Sequence, residues 1–161
     1  MSTTHTKFRK LMGRFATGIT VIALENEEQQ ISAMTANAVT AVSLDPMLLL
    51  CCFRNESRLL SSLLNQGRFS VNILSAGQDA ICRHYGGQQQ AISPAVWKSI
   101  QSVPLLEGAN ASFICTVHST YKAGDHTVVF GAVEDMTAME EPAPALVFAA
   151  GRYHDIALAM Q

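Results

Sequence analysis

Charged residues are scarce in this 161-residue sequence: 15% of its residues are Asp, Glu, Lys or Arg, whereas 48% are hydrophobic. A soluble domain typically carries about 25% charged residues, so part of this surface is expected to be covered by a partner subunit. The net charge of −2 supplies no basic field, which argues against binding to nucleic acid. Length and hydrophobic content together predict one domain, residues 1–161, with a substantial core.

Long apolar runs are also missing. The first 15 residues include basic side chains but no continuous apolar segment of signal-peptide character. No later stretch is long enough to span a bilayer, so no membrane association is expected. The four cysteines stand at positions 51, 52, 82 and 115, without a Cys-x-x-Cys or Cys-x-x-His cluster. Their spacing predicts reduced structural thiols in a cytoplasmic protein, with Cys51 and Cys52 on opposite faces of one strand.

Several motifs of catalysis and cofactor binding are absent. No group of His, Asp, Glu or Cys has metal-ligand spacing, and no Gly-x-Ser-x-Gly or Cys/His pair indicates acyl transfer. No Gly-x-Gly-x-x-Gly fingerprint occurs, so a dinucleotide would have to bind without a Rossmann domain. Two histidines offer little: His118 has no partner at a useful spacing, and His84 is expected to face solvent.

The sequence does contain a series of short apolar or alternating segments that predict strands. One predicted hairpin joins residues 19–24 to a strand from Ile31, and another turns at residues 123–125. At least six strands with few helices predict a mainly β, closed or nearly closed antiparallel barrel with peripheral helices. The other predicted strands are residues 47–53, buried on both faces, and residues 69–74, 112–121, 127–133 and 145–150.

Three short helices are predicted beside these strands. Apolar residues at positions 8, 11, 12 and 15 form one helical stripe, and Gly18 is expected to end that helix. Residues 57–64 predict a second helix with Gly67 at its C-terminal end, and residues 78–85 predict a third. From residue 88 to 108 the pattern weakens, which favours a loop carrying Trp97.

Residues 32–46, SAMTANAVTAVSLDP, are rich in small and hydroxyl side chains. Small side chains leave backbone N–H and C=O groups approachable, which suits a flat, polar-edged ligand laid along a strand. The alternative is a strand and turn that pack closely against another element. Residue chemistry alone favours that alternative.

A strand-to-helix junction at residues 53–58 is a candidate phosphate site. It combines the free N–H groups and positive dipole end of a helix with the guanidinium groups of Arg54 and Arg58. The alternative is that Asn55 or Ser57 caps the helix and the arginines are solvated. The residues alone again favour the alternative.

Three further short segments carry polar or aromatic side chains at turns. Gly124-Asp125-His126 is a turn sequence, and its histidine is either incidental or placed for ligand binding, since imidazole titrates near neutral pH. Residues 151–154, Gly-Arg-Tyr-His, either bind a ligand or only tie down the barrel, with Tyr153 half-buried. Tyr85-Gly86-Gly87 ends the third predicted helix.

Taken together and in order, Met-Thr-Ala-Asn-Ala, Val-Ser-Leu-Asp-Pro, Gly-Asp-His and Gly-Arg-Tyr-His resemble the short-chain NAD(P)H:flavin oxidoreductases. These are the reductase components of two-component flavin monooxygenases, and the resemblance covers nearly the whole chain. It implies an antiparallel, Greek-key FMN-binding split β-barrel that forms a homodimer. It further implies hydride transfer from NADH or NADPH to FMN or FAD, and diffusion of the reduced flavin to a separate monooxygenase acting on aromatic substrates.

The resemblance also implies a set of binding residues. Nicotinamide would stack on the flavin in a groove of the barrel, His126 would orient NADH, and no residue would act as the chemical catalyst. The implied cofactor-binding residues are Met34, Thr35, Ala36, Asn37, Ser43, Leu44, Cys52, Phe53, Asn55, Ser57, Arg58, Tyr85, Gly86, His126, Arg152 and Tyr153.

Two other function classes stay open at this point. A non-enzymatic flavin-binding or electron-carrier protein with the same barrel would hold flavin stoichiometrically without turning over NADH. A purely structural oligomerisation domain would bind no flavin. The sequence does not distinguish FMN from FAD or NADH from NADPH.

Overall fold

The computed structural model describes residues 3–26, 28–88 and 94–157, which form a mainly β fold with short helices at its periphery. The elements in chain order are α1 (Thr3–Met12), β1 (Thr17–Gly18), β2 (Thr20–Glu25), β3 (Ile31–Ala36), β4 (Val39–Leu44), β5 (Met47–Arg54), α2 (Arg58–Gln66), β6 (Arg68–Ile73), α3 (Asp79–Tyr85), β7 (Trp97–Ile100), β8 (Val103–Leu106), β9 (Ala111–Ala123), β10 (His126–Ala138), β11 (Ala145–Ala149) and β12 (Arg152–Ile156).

Seven strands form the main antiparallel sheet, in the order β3-β2-β6-β9-β10-β5-β4. Its two edge strands, β3 and β4, are consecutive in the chain and separated only by Asn37 and Ala38. The three Cα–Cα steps from Ala36 to Val39 cover at most about 11 Å, whereas the edges of a flat seven-stranded sheet lie roughly 29 Å apart. The sheet therefore curls until its edges approach each other at this corner.

The curled sheet does not close along its edges in the part of the chain that the structure describes. No ladder of hydrogen bonds joins β3 to β4 there, so the closed form of the predicted barrel is not observed. A smaller sheet, β1-β11-β12, and the hairpin β7-β8 flank the main sheet. The antiparallel, mainly β prediction is confirmed, and the Greek-key connectivity stays a prediction.

Two apolar clusters hold these layers together. The first lies between the curled sheet and α2, where Phe53, Leu63 and Phe69 are all 0% exposed. The second lies between β2, α3 and the smaller sheet, and includes Leu74 and Cys82. Because each cluster touches a different set of flanking elements, α2 and α3 are both fixed against the sheet that carries β3.

The predicted helix after the junction is confirmed in detail. Ser57 is its N-cap and accepts a hydrogen bond from the Leu60 N–H at 3.4 Å. Gly67 ends the helix with a left-handed φ of 78°. The opposed orientation of the adjacent cysteines is also confirmed, since Cys51 is buried in the core and Cys52 is half-buried on the other face.

Several predictions were wrong. Helix α1 ends at Met12 rather than near Gly18, and none of its described residues is buried. The strand predicted to be buried on both faces, β5, has a mixed pattern because its outer face is open in a single chain. His84, expected to face solvent, is 8% exposed and forms an edge contact with the Tyr85 ring.

The expected loop of residues 88–108 contains a two-residue hairpin, β7-β8, and its residues 89–93 lie outside the described residues. The alternation of apolar residues there is too short to stand out from a loop. β10 extends five residues beyond the predicted end at 133, and the segment from Arg152 pairs with β11 as β12. Within the described residues, no helix is both long and apolar enough to cross a membrane.

Gly131, in the middle of β10, provides a test of the packing. A Cβ there would lie 2.7 Å from Phe69 Cζ and 3.2 Å from Cys115 Cβ, and the Phe69 ring is fully buried. We expect Gly131→Ala to lower the free energy of unfolding by about 1–3 kcal/mol, the usual cost of overpacking a core. Gly18→Ala is the matched control, because a Cβ there meets nothing within 4 Å. Urea denaturation measures both, and an unchanged Gly131→Ala stability would contradict the packing.

Candidate functional site

A groove of about 600 Å³ lies at the corner where β3 passes into β4. Its lining includes the small-residue segment from Met34 to Ala38, the neighbouring Cys52 of β5, and His126 of β10. Ala36 and Ala38 contribute only methyl groups, so this segment of backbone is approachable from the groove. The volume of the groove is within the range of about 300–1,000 Å³ typical of small-molecule sites.

Hydrogen bonds fix the backbone of this segment from three directions. The Thr35 hydroxyl donates to the Cys82 carbonyl of α3 at 2.7 Å, and Asn37 Nδ2 donates to Thr17 Oγ1 at 3.2 Å. Behind the segment, the buried Thr20 hydroxyl donates to the Ala36 carbonyl at 2.8 Å. The corner is thus tied to α3, β1 and β2, which makes it a rigid wall.

The strand-to-helix junction closes one end of the groove. Arg54, Glu56 and Ser57 line it, and the Ser57 hydroxyl donates to the Met34 sulfur at 3.8 Å. Ser57 therefore caps α2, as the alternative expected, and also lines the groove. Arg58 begins α2 next to this lining and is exposed. Two guanidinium groups and a helix start consequently lie at the same end.

The β9-β10 hairpin turn brings His126 to the rim. Gly124 has a φ of 65° and Asp125 does not share a positive φ, which matches a type II′ turn with glycine at its first central position. His126 Nδ1 lies 2.8 Å from Asp125 Oδ1. The hydrogen bond and charge of His126 hold the pKa of the Asp125 carboxyl below its usual value, and Arg54 adds a smaller effect. The carboxylate therefore stays ionised beside His126 across neutral and mildly acidic pH.

A second cavity of about 210 Å³ lies behind the groove and shares Thr35 and Asn37 with it. Its lining includes Gly86 and Tyr153, and the Arg83 guanidinium carbon lies 4.7 Å from the Tyr153 ring centroid. A hydrogen bond with Cys82, followed by burial, raises the pKa of Tyr153 to about 12. Tyr153 thus presents a neutral hydroxyl and an aromatic face, rather than a charge.

A third, more apolar groove of about 630 Å³ adjoins the first and shares Asn37, Ala38 and Cys52 with it. α1 forms one side, through Phe8 and Met12. Asn37 lines all three cavities and so stands where they meet.

The structure brings many of the predicted site residues together. Those that line the first groove are Met34, Thr35, Ala36, Asn37, Cys52, Ser57 and His126, and the second cavity adds Gly86 and Tyr153.

The other predicted residues lie elsewhere within the described residues. The Phe53 side chain is in the core, and Asn55 bonds the hairpin turn. Tyr85 accepts a hydrogen bond from Trp97 Nε1 at 3.3 Å. The remaining ones, all outside the linings of both cavities, are Ser43, Leu44, Arg58 and Arg152.

Several lining residues were missed by sequence reasoning. Arg54 was named at the candidate phosphate junction but not among the implied binding residues, and Glu56 could have been included as a neighbour of Ser57. Ala38 lies within the small-residue segment. Ile19, Cys82 and Phe148 carried no signal, because each comes from an element whose approach depends on tertiary packing. Among the described residues, no group of three or more His, Cys, Asp or Glu could hold a metal ion.

Comparison with known proteins places this geometry in context. Residues 12–157 match the family described as flavin reductase like domain. The chain is 34% identical over 154 residues to an NADH-dependent flavin reductase of a Rhodococcus species, covering 93% of this chain and 85% of that protein. It is 33% identical to the reductase component of 4-hydroxyphenylacetate 3-monooxygenase from Thermus thermophilus, covering 89% and 92%.

A solved structure gives the same picture at the level of the fold. The NADH:FAD oxidoreductase SgcE6 of Streptomyces globisporus C-1027, in complex with NAD and FAD fragments, superposes with a TM-score of 0.86 at 31% identity. The match covers 95% of this chain and 93% of that one.

Proposed function

The chain belongs to the flavin reductase-like domain family, and on this premise we propose that it is an oxidoreductase that transfers hydride from NADH to FMN or FAD. The observation that carries the proposal is the single groove bounded by the Met34–Ala38 segment, the α2 junction and His126. The reduced flavin then passes to a separate monooxygenase, as the name of the Thermus thermophilus relative suggests. NADPH is the alternative donor.

The residues of the groove fit a flavin. The methyl side chains of Ala36 and Ala38 allow a flat ring to approach the backbone, and the thioether of Met34 and the thiol of Cys52 add apolar contact. The junction at residues 54–58 supplies the guanidinium groups of Arg54 and Arg58 and the start of α2 for a phosphate at one end. These features support an FMN-binding split barrel as the finer description of the fold.

The chain contributes to catalysis in this groove by positioning the flavin and NADH. A bound flavin supplies the hydride acceptor, so the chain itself needs no nucleophile and we assign no residue as the chemical catalyst. The rigid wall at residues 34–38 fixes one ligand, and His126 at the rim orients the other through an imidazole nitrogen. Holding two reactants in contact in this way accounts for much of the rate such a site can provide.

We also infer a homodimer, which the exposed apolar surface supports. Phe8, Leu11, Met12 and Phe15 are 50–70% exposed, and Leu44 of β4 is 89% exposed. Such a patch is rare on a monomer and costs free energy in water. A second copy covering the third groove would also border the first, through Asn37 and Ala38. The cytoplasmic location stays a prediction.

Mixing the purified protein with NADH and excess FMN or FAD tests the activity. We expect steady loss of NADH absorbance that continues for many turnovers per protein chain. Stoichiometric flavin binding without NADH loss would favour the non-enzymatic carrier. Absence of flavin binding would leave only a structural domain. Repeating the assay with NADPH and with each flavin resolves the donor and acceptor preferences.

Replacing His126 separates NADH handling from flavin binding. We expect His126→Ala to lower kcat/KM for NADH, with a loss of transition-state stabilisation of about 1–3 kcal/mol, the range for a lost hydrogen bond to a charged group. The affinity for flavin should stay nearly intact. His118→Ala is the matched control, because His118 is exposed on β9 outside the groove lining and its Nδ1 lies 3.2 Å from the Ser119 hydroxyl. Steady-state kinetics and a fluorescence titration of flavin measure the two effects. Loss of flavin binding with normal NADH kinetics would assign His126 to the wrong ligand.

Replacing Arg58 examines the phosphate end. We expect Arg58→Ala to weaken flavin binding by about 1–3 kcal/mol, because a charge-assisted hydrogen bond at the start of α2 is lost. Arg14→Ala provides an exposed arginine outside the groove as control. An unchanged flavin dissociation constant in Arg58→Ala, with a weakened one in Arg54→Ala, would move the phosphate contact to Arg54.

Sedimentation equilibrium examines the homodimer. We expect a dimer at micromolar concentration, and we expect Phe8→Glu together with Phe15→Glu to shift it towards monomer, since charges on a buried apolar interface are costly. Lys7→Glu changes charge on the same helix and serves as the control. A wild-type protein that is monomeric and fully active would refute the inference.

A further inference from the structure

Asn55 contacts the hairpin tip that carries His126 from outside the hairpin. The Asn55 backbone N–H donates to the Asp125 carbonyl at 3.1 Å, and its Nδ2 donates to the Gly124 carbonyl at 3.0 Å. Its Oδ1 accepts from the Thr127 hydroxyl at 2.9 Å. Neither Asn55 nor Thr127 lines the groove in the described part of the chain. We propose that Asn55, anchored by Thr127, is a positioning residue that sets the place of His126 at the groove rim.

The tip depends on these bonds because little else supports it. The β5-β10 ladder ends at the pair Arg54 and His126, and of the described strands only β9 continues beside the turn. The Asp125 side chain is 88% exposed, and nothing lies within 4 Å of the Cβ position of Gly124. A turn without apolar packing keeps one conformation only through its hydrogen bonds. Asn55 extends the contact of the tip with β5 by one further residue.

Thr127 anchors the oxygen end of the Asn55 carboxamide, while the Gly124 carbonyl sets which end faces the turn. Its hydroxyl donates to Oδ1, which leaves the NH₂ group directed at the Gly124 carbonyl. The flipped amide would place Oδ1 against the Gly124 carbonyl oxygen and lose that hydrogen bond, because a carbonyl can only accept. Thr127 is 6% exposed, so water competes weakly at its hydroxyl. The buried threonine thus fixes the amide, and the amide fixes the turn.

This arrangement also links the two ends of the groove. Asn55 stands between Arg54 and Glu56, which line the groove at the α2 junction. The inference rests on the proposed function at this point. Asn55 connects the junction at residues 54–58, which would hold a flavin phosphate, to the turn with His126, which would orient NADH. Ordering the junction therefore orders the NADH-binding turn as well.

The test uses Thr127→Val, which removes the hydroxyl with little change of shape, and Thr127→Ser, which restores it. Ser112→Ala is the control, because the Ser112 hydroxyl donates to another asparagine, Asn72 Oδ1, at 2.8 Å in the core away from the groove. Two readouts are taken: the NMR signals of the His126 ring in the protein without added ligand, and NADH kinetics at saturating flavin. Flavin affinity is measured in parallel.

We expect Thr127→Val to shift or broaden the His126 ring signals and to lower kcat/KM for NADH about three- to tenfold, the scale of one hydrogen bond. Flavin affinity stays within about twofold, and Thr127→Ser recovers both readouts. Ser112→Ala lowers thermal stability but leaves the His126 signals and the NADH kinetics unchanged.

Two results would overturn the proposal. One is a Thr127→Val protein with wild-type His126 signals, whatever its stability. The other is a Ser112→Ala protein with the same change of His126 signals, because the effect would then reflect general loosening. If the wild-type protein fails to oxidise NADH, the proposed function fails, whereas the NMR comparison still decides the role of Asn55 and Thr127.

Discussion

The short connection between β3 and β4 is the constraint on which the rest of the structure depends. Because Asn37 and Ala38 are the only residues between the two edges of a seven-stranded sheet, the sheet has to curl, and strand pairing has to stop at that corner. The groove is the space left where the pairing stops. Bulky side chains at positions 36–38 would fill it, which gives the run of small residues a physical reason.

The corner also needs rigidity, and polar side chains provide it. Thr20, Thr35 and Asn37 direct their hydrogen bonds to three different elements, so the wall of the groove is fixed from the core side, from α3 and from β1. The opposite wall is held differently, by the network of Asn55 and Thr127 around a hairpin tip with little packing. A site that works by aligning two flat ligands requires both walls to be held, since its rate depends on their separation.

The scarcity of charged residues in the sequence and the exposed apolar side chains of α1 both indicate a surface that a partner subunit covers. α1 has an amphipathic stripe that is left exposed by the described elements of the single chain, and its side chains form one side of the third groove. Asn37 and Ala38 belong to both that groove and the candidate ligand groove. The proposed subunit contact and the proposed chemistry are therefore adjacent, and burial of the first would reduce the exposure of the second to water.

The sequence by itself determined what depends on local spacing. Ser57 and Gly67 bound a helix because cap chemistry acts within a few residues, and Gly124 marks the tight turn because glycine readily adopts a positive φ. The ordered motifs also indicated the family. Residues that line the groove were foreseen where they lie within a motif, as with residues 34–37 and His126.

Only the tertiary structure decided which distant residues share the site. Ile19, Cys82 and Phe148 reach the second cavity from three separate elements, and the exposure of His84 depended on how α3 packs. Asn55 was expected at a ligand but bonds the turn 69 residues away, a partnership set by the register of β5 against β10. Register and packing arise from the whole apolar pattern, so no short segment contains them.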